Sequence, residues 1–353
     1  MATKLRAAIG AKVTAKTLTA KDAVRDGKSG AFEEVFVRND AVSLCLLLNR
    51  RARTMRVIDF RAGASPAKKV FVQSIARREQ VDKVIVLVER DECSTWARLG
   101  FAREGNIPGF YKRSDAFIMG CVVPAADAPT TRSHPATRAV PAPVRPNRIG
   151  ESGVFSISTY GFEPQLEDDD DDELPAPVAS AVAEKTMVHA RRLAKDIVLS
   201  AALKLSPLSA VDLQKRTDKA AKDGRALTGF EPFGRDVLRD DVLVSQRGLE
   251  IVVGAEIQRC YGNAFLEVLA SPKDDKERNF LAAALHAACE RLHAAHSVCA
   301  FALCPVDDVR MATSFVAAGF RRTGLLRQHL RLRDQRVDAL LFCRKLAVPG
   351  DEA

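Results

Sequence analysis

Apolar and polar residues alternate in two different ways along this chain, and the first clear change of pattern falls at Phe32. Residues 1–31 hold scattered apolar positions and give only a weak strand signal around residues 12–18. After Phe32, short runs rich in Val, Leu and Ile predict strands, whereas apolar residues spaced three and four apart predict helices. The predicted strands are 34–37, 41–48, 55–60, 83–88, 101–107 and 115–123, and the predicted helices are 67–80 and 92–99.

The same order of patterns returns in the second half of the chain. After helical spacing over 183–205 and 209–222, strands are predicted at 241–244, 249–257 and 264–269, then a helix through His293, a strand at 298–304, a helix to Ala318 and a hairpin over 323–345. Corresponding positions keep a nearly constant shift, from 206 between Ser65 and Ser271 to 223 between Asp115 and Asp338. A register maintained over this length predicts a duplicated chain.

Residues 124–182 separate the two repeats and have a different composition. Pro recurs throughout them, Ala and Ser fill the gaps, and residues 167–173 are an unbroken acidic run. Such a composition is typical of a disordered, self-repelling linker. The sequence therefore predicts a first domain at 1–123, a linker at 124–182 and a second domain at 183–353.

Charge and composition narrow the class of protein. The three segments carry net charges of +10, −6 and +5, and a basic surface suits an anionic ligand such as a phosphorylated cofactor, although it also suits RNA. No apolar run reaches the roughly 18 to 20 residues of a membrane span, and the N-terminus lacks a secretory pattern. The eight scattered cysteines form no CxxC pair. We expect a cytoplasmic protein whose cysteines are small, reduced core residues, with no metal site and no membrane partner.

The stretch from Trp96 to Met119 carries the most specific local signals. Gly100 follows a helical run and can take the left-handed conformation that ends a helix, and Phe101 then begins a strand that Pro108-Gly109 interrupts. A weaker copy lies near the C-terminus, where Gly319-Phe320 repeats the helix end. The local prediction is a helix followed by a hairpin.

This plan resembles the GCN5-related N-acetyltransferase (GNAT) family over about residues 32–123 and 242–346. The first half is similar to the β-lysine N-acetyltransferase branch, in which Gly-Phe, Glu-Gly, Ile-Pro-Gly-aromatic and Asp-Ala segments follow in this order. The resemblance implies an α/β (α+β) fold of two tandem acyl-CoA N-acyltransferase-like domains. Each domain would hold a mixed, mostly antiparallel sheet with flanking helices.

The resemblance also implies acetyl-CoA as co-substrate, with its pyrophosphate at the positive N-terminus of the helix after the fourth strand. In the first half the residues at that place are Arg61, Gly63, Ala64, Ser65, Lys68 and Lys69. The family's usual glycine signature is only approximated there. In the second half, two aspartates at positions 274 and 275 follow Ser271-Pro-Lys, which predicts poor coenzyme binding and a degenerate domain.

The family's frequent acid, a tyrosine four residues before the helix-ending glycine, is replaced by Trp96 in the first half and by Phe315 in the second. An acetyl transfer needs a base for the attacking amine and an acid for the leaving thiolate. Glu89 and Asp115 are the candidate bases, and Tyr111 is the candidate acid. We interpret Trp96 as a packing residue.

The leading hypothesis is an N-acetyltransferase that transfers acetyl from acetyl-CoA to an amine of a small molecule or a protein. A non-catalytic pseudo-acetyltransferase scaffold is the alternative, because both family tyrosines are missing. A third reading, an aminoacyl-tRNA-dependent transferase, would make nucleic acid the partner, and it predicts salt-sensitive RNA binding.

Overall fold

The computed structural model of the chain describes residues 14–16, 32–38, 43–50, 52–59, 65–111, 114–124, 174–199, 203–227, 237–332 and 335–347. The acidic run at 167–173 lies outside them. The described residues of both predicted domains belong to one compact unit. No described helix is long and apolar enough to cross a membrane.

The fold is mixed α/β. Its strands are β1 (Thr14–Lys16), β2 (Phe32–Arg38), β3 (Ser43–Asn49), β4 (Thr54–Asp59), β5 (Lys83–Val88), β6 (Ala102–Ile107), β7 (Ala116–Val122), β8 (Lys204–Pro207), β9 (Leu238–Gln246), β10 (Leu249–Gln258), β11 (Asn263–Val268), β12 (Cys299–Pro305), β13 (Arg321–Leu332) and β14 (Gln335–Lys345). Its described helices are α1 (Pro66–Arg78), α2 (Cys93–Arg98), α3 (Ala181–Ala194), α4 (Ala210–Lys222), α5 (Asp275–Ala294) and α6 (Val309–Ala317).

The described strands form one mostly antiparallel sheet in which the same pairing pattern occurs twice. Its order is β1-β2-β3-β4-β5-β7-β6-β13-β14-β12-β11-β10-β9-β8. In the first half β4 pairs with β5 in parallel, and β7 lies between β5 and β6. In the second half β11 pairs with β12 in parallel, and β14 lies between β12 and β13. The predicted fold class is confirmed, and the two halves meet where β6 pairs with β13.

Helices begin and end at residues whose local chemistry explains the boundary. The Ser65 side chain accepts a hydrogen bond from the backbone of Lys68 at the start of α1, where Pro66 takes the first helical position. Gly100 and Gly319 follow α2 and α6 with φ of 91° and 86°, conformations that glycine adopts without strain. The helix ends predicted at these two glycines are therefore confirmed.

Each half buries one sheet face against its own helices. In the first half α1 and α2 contribute Val72, Ile75 and Trp96 to a core with Met55 and Val86. In the second half α3, α5 and α6 cover the corresponding face, and Phe280, Leu285 and Phe315 are among the buried residues. Since successive strand residues point to opposite faces, the other face of each half is left for different contacts.

Each of the two final hairpins contacts the opposite half of the chain. The turn between β6 and β7 packs Phe110 against Phe301, with 5.9 Å between ring centroids, and its backbone oxygen accepts a 3.1 Å hydrogen bond from Asn263. At the other hairpin, Arg336 near the start of β14 contacts the first half, because its Nε lies 3.0 Å from Asp82 Oδ2. A shared apolar cluster with members such as Ile118 and Leu341 lies between these contacts. The halves thus interlock.

One predicted helix is wrong over its second part. The helical pattern over residues 183–205 corresponds to α3, which ends at Ala194, and to β8, which begins at Lys204. Leu203 and Leu205 pack on the core with the two-residue spacing of a strand. The pairing of β8 with β9 satisfies backbone groups that a helix would have satisfied internally.

Candidate functional site

The strands β4 and β5 pair only at their beginnings. Their register runs from Thr54 with Lys83 to Val57 with Val86, whereas β4 continues to Asp59 and β5 to Val88. The two strands therefore separate at their carboxyl ends, next to the start of α1. The second half shows the same arrangement, because β11 and β12 pair from Asn263 with Cys299 to Leu266 with Ala302 and then part.

The N-terminus of α1 is free of acidic residues in its first turn. Ser65 caps it, with 3.1 Å between Oγ and the Lys68 nitrogen. The helix dipole places partial positive charge at this end, where an anion is stabilised. Three other predicted cofactor residues, Arg61, Gly63 and Ala64, lie outside the described residues.

The two predicted lysines have different surroundings. Lys68 is buried, its Nζ lies 2.5 Å from Asp59 Oδ2, and it stands 5.8 Å from the centroid of the Trp96 ring. Its charge is thus matched by a carboxylate inside the first half. Lys69 is half-buried and reaches the end of α2, since a Cβ built at Gly100 would lie 3.5 Å from its Nζ. Of the two, Lys69 is the more accessible to a ligand.

The three predicted catalytic residues meet around the turn between β6 and β7. Glu89 Oε1 accepts a 3.1 Å hydrogen bond from Ser114, and the backbone nitrogen of Tyr111 donates to the Ser114 oxygen at 3.1 Å. Asp115 Oδ1 accepts from the Gly109 nitrogen at 2.9 Å, and its Oδ2 accepts from Asn106 at 3.4 Å. Asp115 therefore holds the turn, while Glu89 is exposed.

Tyr111 stands in an aromatic group to which both halves contribute. Its ring meets Phe110 at 4.9 Å and Tyr261 at 5.4 Å between centroids, both edge to face. Burial raises the pKa of Tyr111 to about 12, and the positive charge of Arg56 opposes that rise. Tyr261 was missed by sequence reasoning because only tertiary packing brings it to this turn.

The corresponding helix end in the second half is closed by its own carboxylates. Asp274, the N-cap of α5, accepts a hydrogen bond from the Glu277 nitrogen at 2.9 Å, and Glu277 accepts from the nitrogen of Lys273, the residue before the cap, at 2.9 Å. Two backbone donors that could face an anion are thus occupied. Phe315 is fully buried and stacks on Phe342 at 5.1 Å between centroids.

A buried charged pair lies near the junction of the halves. Lys83 Nζ is 2.5 Å from Glu104 Oε1, and both side chains are almost inaccessible to solvent. Burial lowers the pKa of Lys83 and raises the pKa of Glu104. His329 of the second half is also buried, and burial lowers its pKa to about 3, with Lys83 and Arg336 contributing in the same direction. Sequence reasoning missed this cluster, since Lys83, Glu104 and His329 lie on three different strands that only the folded sheet brings together.

Among the residues that the structure describes, no group of three or more His, Cys, Asp or Glu side chains could hold a metal ion. Cys289 and Cys299 are buried, whereas His286 and His293 of the same region are exposed or half-buried. Cys260 is exposed, so the expectation that cysteines are core residues fails there.

The sequence matches no protein-family model and no curated protein. Among solved structures, the ribosomal-protein-S18-alanine N-acetyltransferase from Escherichia coli is similar at 16% identity, covering 43% of this chain and 98% of that chain, with a TM-score of 0.32. Spermidine N-acetyltransferase from Vibrio cholerae, in complex with CoA and spermine, is similar at 14% identity, covering 42% and 99% of the two chains, with a TM-score of 0.35. Both neighbours are GNAT acetyltransferases. At TM-scores below 0.5, these likenesses carry no weight in assigning a function to this chain.

Proposed function

We propose that this chain is an N-acetyltransferase built from two tandem GNAT-like halves, of which the first transfers acetyl from acetyl-CoA to an amine of a small molecule or a protein. The observation that carries the proposal is the parting of β4 and β5 after Val57 and Val86. The end of β4 lies beside the first turn of α1, where Asp59 contacts Lys68, and the end of β5 is followed by Glu89. An anion-binding group and a proton acceptor would thus flank the parted strand ends.

The residues at this end of the first half fit an anionic coenzyme. The α1 N-terminus has no acid in its first turn, and the half-buried Lys69 lies near it. Ser65 and Lys69 would therefore hold the pyrophosphate, together with Arg61, Gly63 and Ala64 of the preceding segment. Acetyl-CoA would supply the acetyl thioester. Lys68 would act indirectly, by fixing α1 to β4 through Asp59.

Proton transfers would fall to residues around the β6–β7 turn. Glu89, exposed at the end of β5, would accept the proton of the attacking ammonium directly or through water. Tyr111 keeps its proton at neutral pH because burial raises its pKa to about 12. It would therefore stabilise the leaving thiolate by donating a hydrogen bond, and water would supply the proton, since a thiol with a pKa of about 8.5 is the stronger acid. Asp115 would position the turn through Gly109 and Asn106.

The second half would shape the site without binding coenzyme. The carboxylates of Asp274 and Glu277 occupy the helix end where pyrophosphate would lie. Tyr261 and Phe301 support the turn that carries Tyr111. The alternative function, a non-catalytic scaffold, is favoured by one observation: Trp96 and Phe315, which replace the family's acid, are both fully packed.

Calorimetric titration of acetyl-CoA into the full chain tests the proposal. We expect binding that weakens in Ser65→Ala, because the cap orients the α1 N-terminus. The matched control is Ser180→Ala, which removes the cap of α3 at no predicted site. Transfer would then be followed by thiol release with a polyamine or a peptide amine as acceptor. No binding at millimolar acetyl-CoA would refute the enzyme and leave the scaffold.

A further inference from the structure

A cleft of about 540 Å³ opens in the second half between α4, the start of β10 and the loop that joins β11 to α5. Its volume lies within the range of small-molecule sites, which is roughly 300 to 1,000 Å³. None of the residues that line it comes from β12 or α6. The cleft therefore borders the start of α5 through Lys273 and Glu277, but it does not extend into the gap between β11 and β12.

The floor of the cleft consists of apolar side chains that are packed against α4. Val252 and Leu269 line it and are buried in a small cluster with Leu213 of α4. The neighbouring strand residue Val253 belongs instead to the core that α5 covers. Since adjacent strand residues point to opposite faces, α4 and α5 lie on opposite sides of the sheet. The cleft thus lies on the α4 side of the sheet, and the sheet forms its base.

The rim of the cleft carries four basic side chains against three acidic ones. The basic residues are Arg216, Lys219, Arg225 and Lys273, and the acidic residues are Asp223, Glu250 and Glu277. The excess positive charge lies over an apolar floor. A ligand that matches both features has an anionic group attached to an apolar body.

Ion pairs already neutralise two of the acids and orient the cations. Glu277 lies 2.7 Å from Arg225 and 3.0 Å from Lys273, and Glu250 lies 2.9 Å from Arg216. Arg225 is further fixed by its hydrogen bond to the Ser271 carbonyl at 3.2 Å. The guanidinium group of an arginine held in this way still has other N–H donors. Their planar, forked geometry suits phosphate oxygens. Lys219 has no ion-pair partner within the described residues.

We propose that this cleft binds a small organic phosphate, with the phosphate between Lys219 and Arg225 and an apolar body on Val252 and Leu269. A doubly charged phosphate uses several cations of the rim at once, whereas a carboxylate would leave more of them unmatched. The site is independent of the proposed acetyl transfer. It gives the second half a binding role on the α4 side of the sheet, next to the start of α5.

Phenyl phosphate is a direct probe, since it joins a dianionic group to an apolar ring and does not resemble coenzyme A. Calorimetric titration into the full chain is expected to show binding that weakens about fivefold to tenfold in Lys219→Ala, the loss of one charged contact. Lys222→Ala is the matched control, because Lys222 is exposed on the same helix and does not line the cleft. Arg225→Lys should also weaken binding, since lysine lacks the fork.

Three comparisons decide the outcome. Benzoate, which carries a carboxylate on the same ring, should bind more weakly than phenyl phosphate, and inorganic phosphate should also bind more weakly because it leaves the floor bare. Acetyl-CoA should retain its affinity in Lys219→Ala. The proposal is overturned by no binding of phenyl phosphate at 10 mM (about a hundredfold above a 0.1 mM dissociation constant), by equal losses in Lys219→Ala and Lys222→Ala, or by benzoate binding equally well.

Discussion

Gly105 of β6 pairs with Gly324 of β13, and neither residue has room for a side chain. A Cβ built on Gly324 would lie 2.5 Å from the Cα of Gly105. A Cβ built on Gly105 would lie 3.0 Å from the Cα of Gly324 and 2.9 Å from Leu341 Cδ2. The two halves therefore approach backbone to backbone at this point, and only glycine permits the distance.

Gly324→Ala is expected to destabilise the protein by about 1–3 kcal/mol, because the neighbouring atoms are backbone and cannot rotate away. Urea denaturation of the variant measures the change. Gly248→Asn is a suitable control, since Gly248 has φ of 80°, asparagine tolerates that conformation, and no atom lies within 4 Å of a Cβ there. An unchanged unfolding midpoint in Gly324→Ala would show that the junction is looser than the structure indicates.

Replacing Lys83 alone should cost more than replacing it together with its partner. Lys83→Met leaves the carboxylate of Glu104 buried without its cation, and breaking such a pair costs about 3–5 kcal/mol. The double variant Lys83→Met, Glu104→Leu leaves no buried charge and should recover most of the loss. A double-mutant cycle by chemical denaturation gives the coupling energy. Simple additivity of the two single losses would contradict a coupled pair.

His329 should make the stability of the protein depend on pH. Its pKa is about 3 in the folded state, well below the roughly 6.5 of an unfolded histidine, so the unfolded chain binds a proton that the folded chain does not. Stability is therefore complete above pH 6.5 and falls as the pH falls from there towards 3, by about 2 kcal/mol at pH 5. The expected result is that His329→Leu removes this part of the slope.

Exposed histidines provide the control for that experiment. His293 is exposed on α5, so His293→Gln should leave the slope between pH 7 and pH 5 as it is in the parent protein. Urea midpoints at several pH values measure both variants. If the slope persists in His329→Leu, the acid sensitivity comes from other groups.

Replacing Glu89 should affect catalysis, whereas replacing Asp115 should affect stability. Glu89 is exposed, so Glu89→Gln should lower kcat of acetyl transfer about 10²-fold or more while leaving the unfolding midpoint in place. Asp115→Ala removes the acceptor of Gly109 and Asn106 and should lower the free energy of unfolding by about 1 kcal/mol. Equal activity of Glu89→Gln and the parent protein would remove Glu89 from the proposed mechanism.

Local chemistry explains which parts of the fold the sequence predicted. Pro66 and Gly100 mark helix ends through backbone geometry that depends only on the residue itself, and the strand patterns follow from burial of one or both faces. The repeated order of strands and helices could also be predicted, since the spacing of apolar residues indicates these elements in each half separately. The strand β8 was not predicted, because the spacing of Leu203 and Leu205 fits either a helix or a strand. The pairing of β8 with β9 decides for the strand.

The candidate site was predictable only in part, for a similar reason. Glu89, Tyr111 and Asp115 were predicted as separate candidates, and the turn at Ser114 brings them together. The contact of Tyr111 with Tyr261 joins positions 150 apart in the chain, and no local pattern encodes it. Likewise, the sequence does not indicate that Lys68 faces Asp59, since this pairing depends on how α1 docks onto β4.

The pairing of β6 with β13 has a consequence for how the protein is made. Gly105 and Gly324 are 219 positions apart, so at 5–20 residues per second a ribosome needs roughly 10–40 s to deliver the partner of β6. Throughout that interval β6 is an unprotected sheet edge on a nascent chain, and such an edge invites pairing with other chains. Synthesis speed and chaperone access over the intervening residues should therefore influence the yield of folded protein.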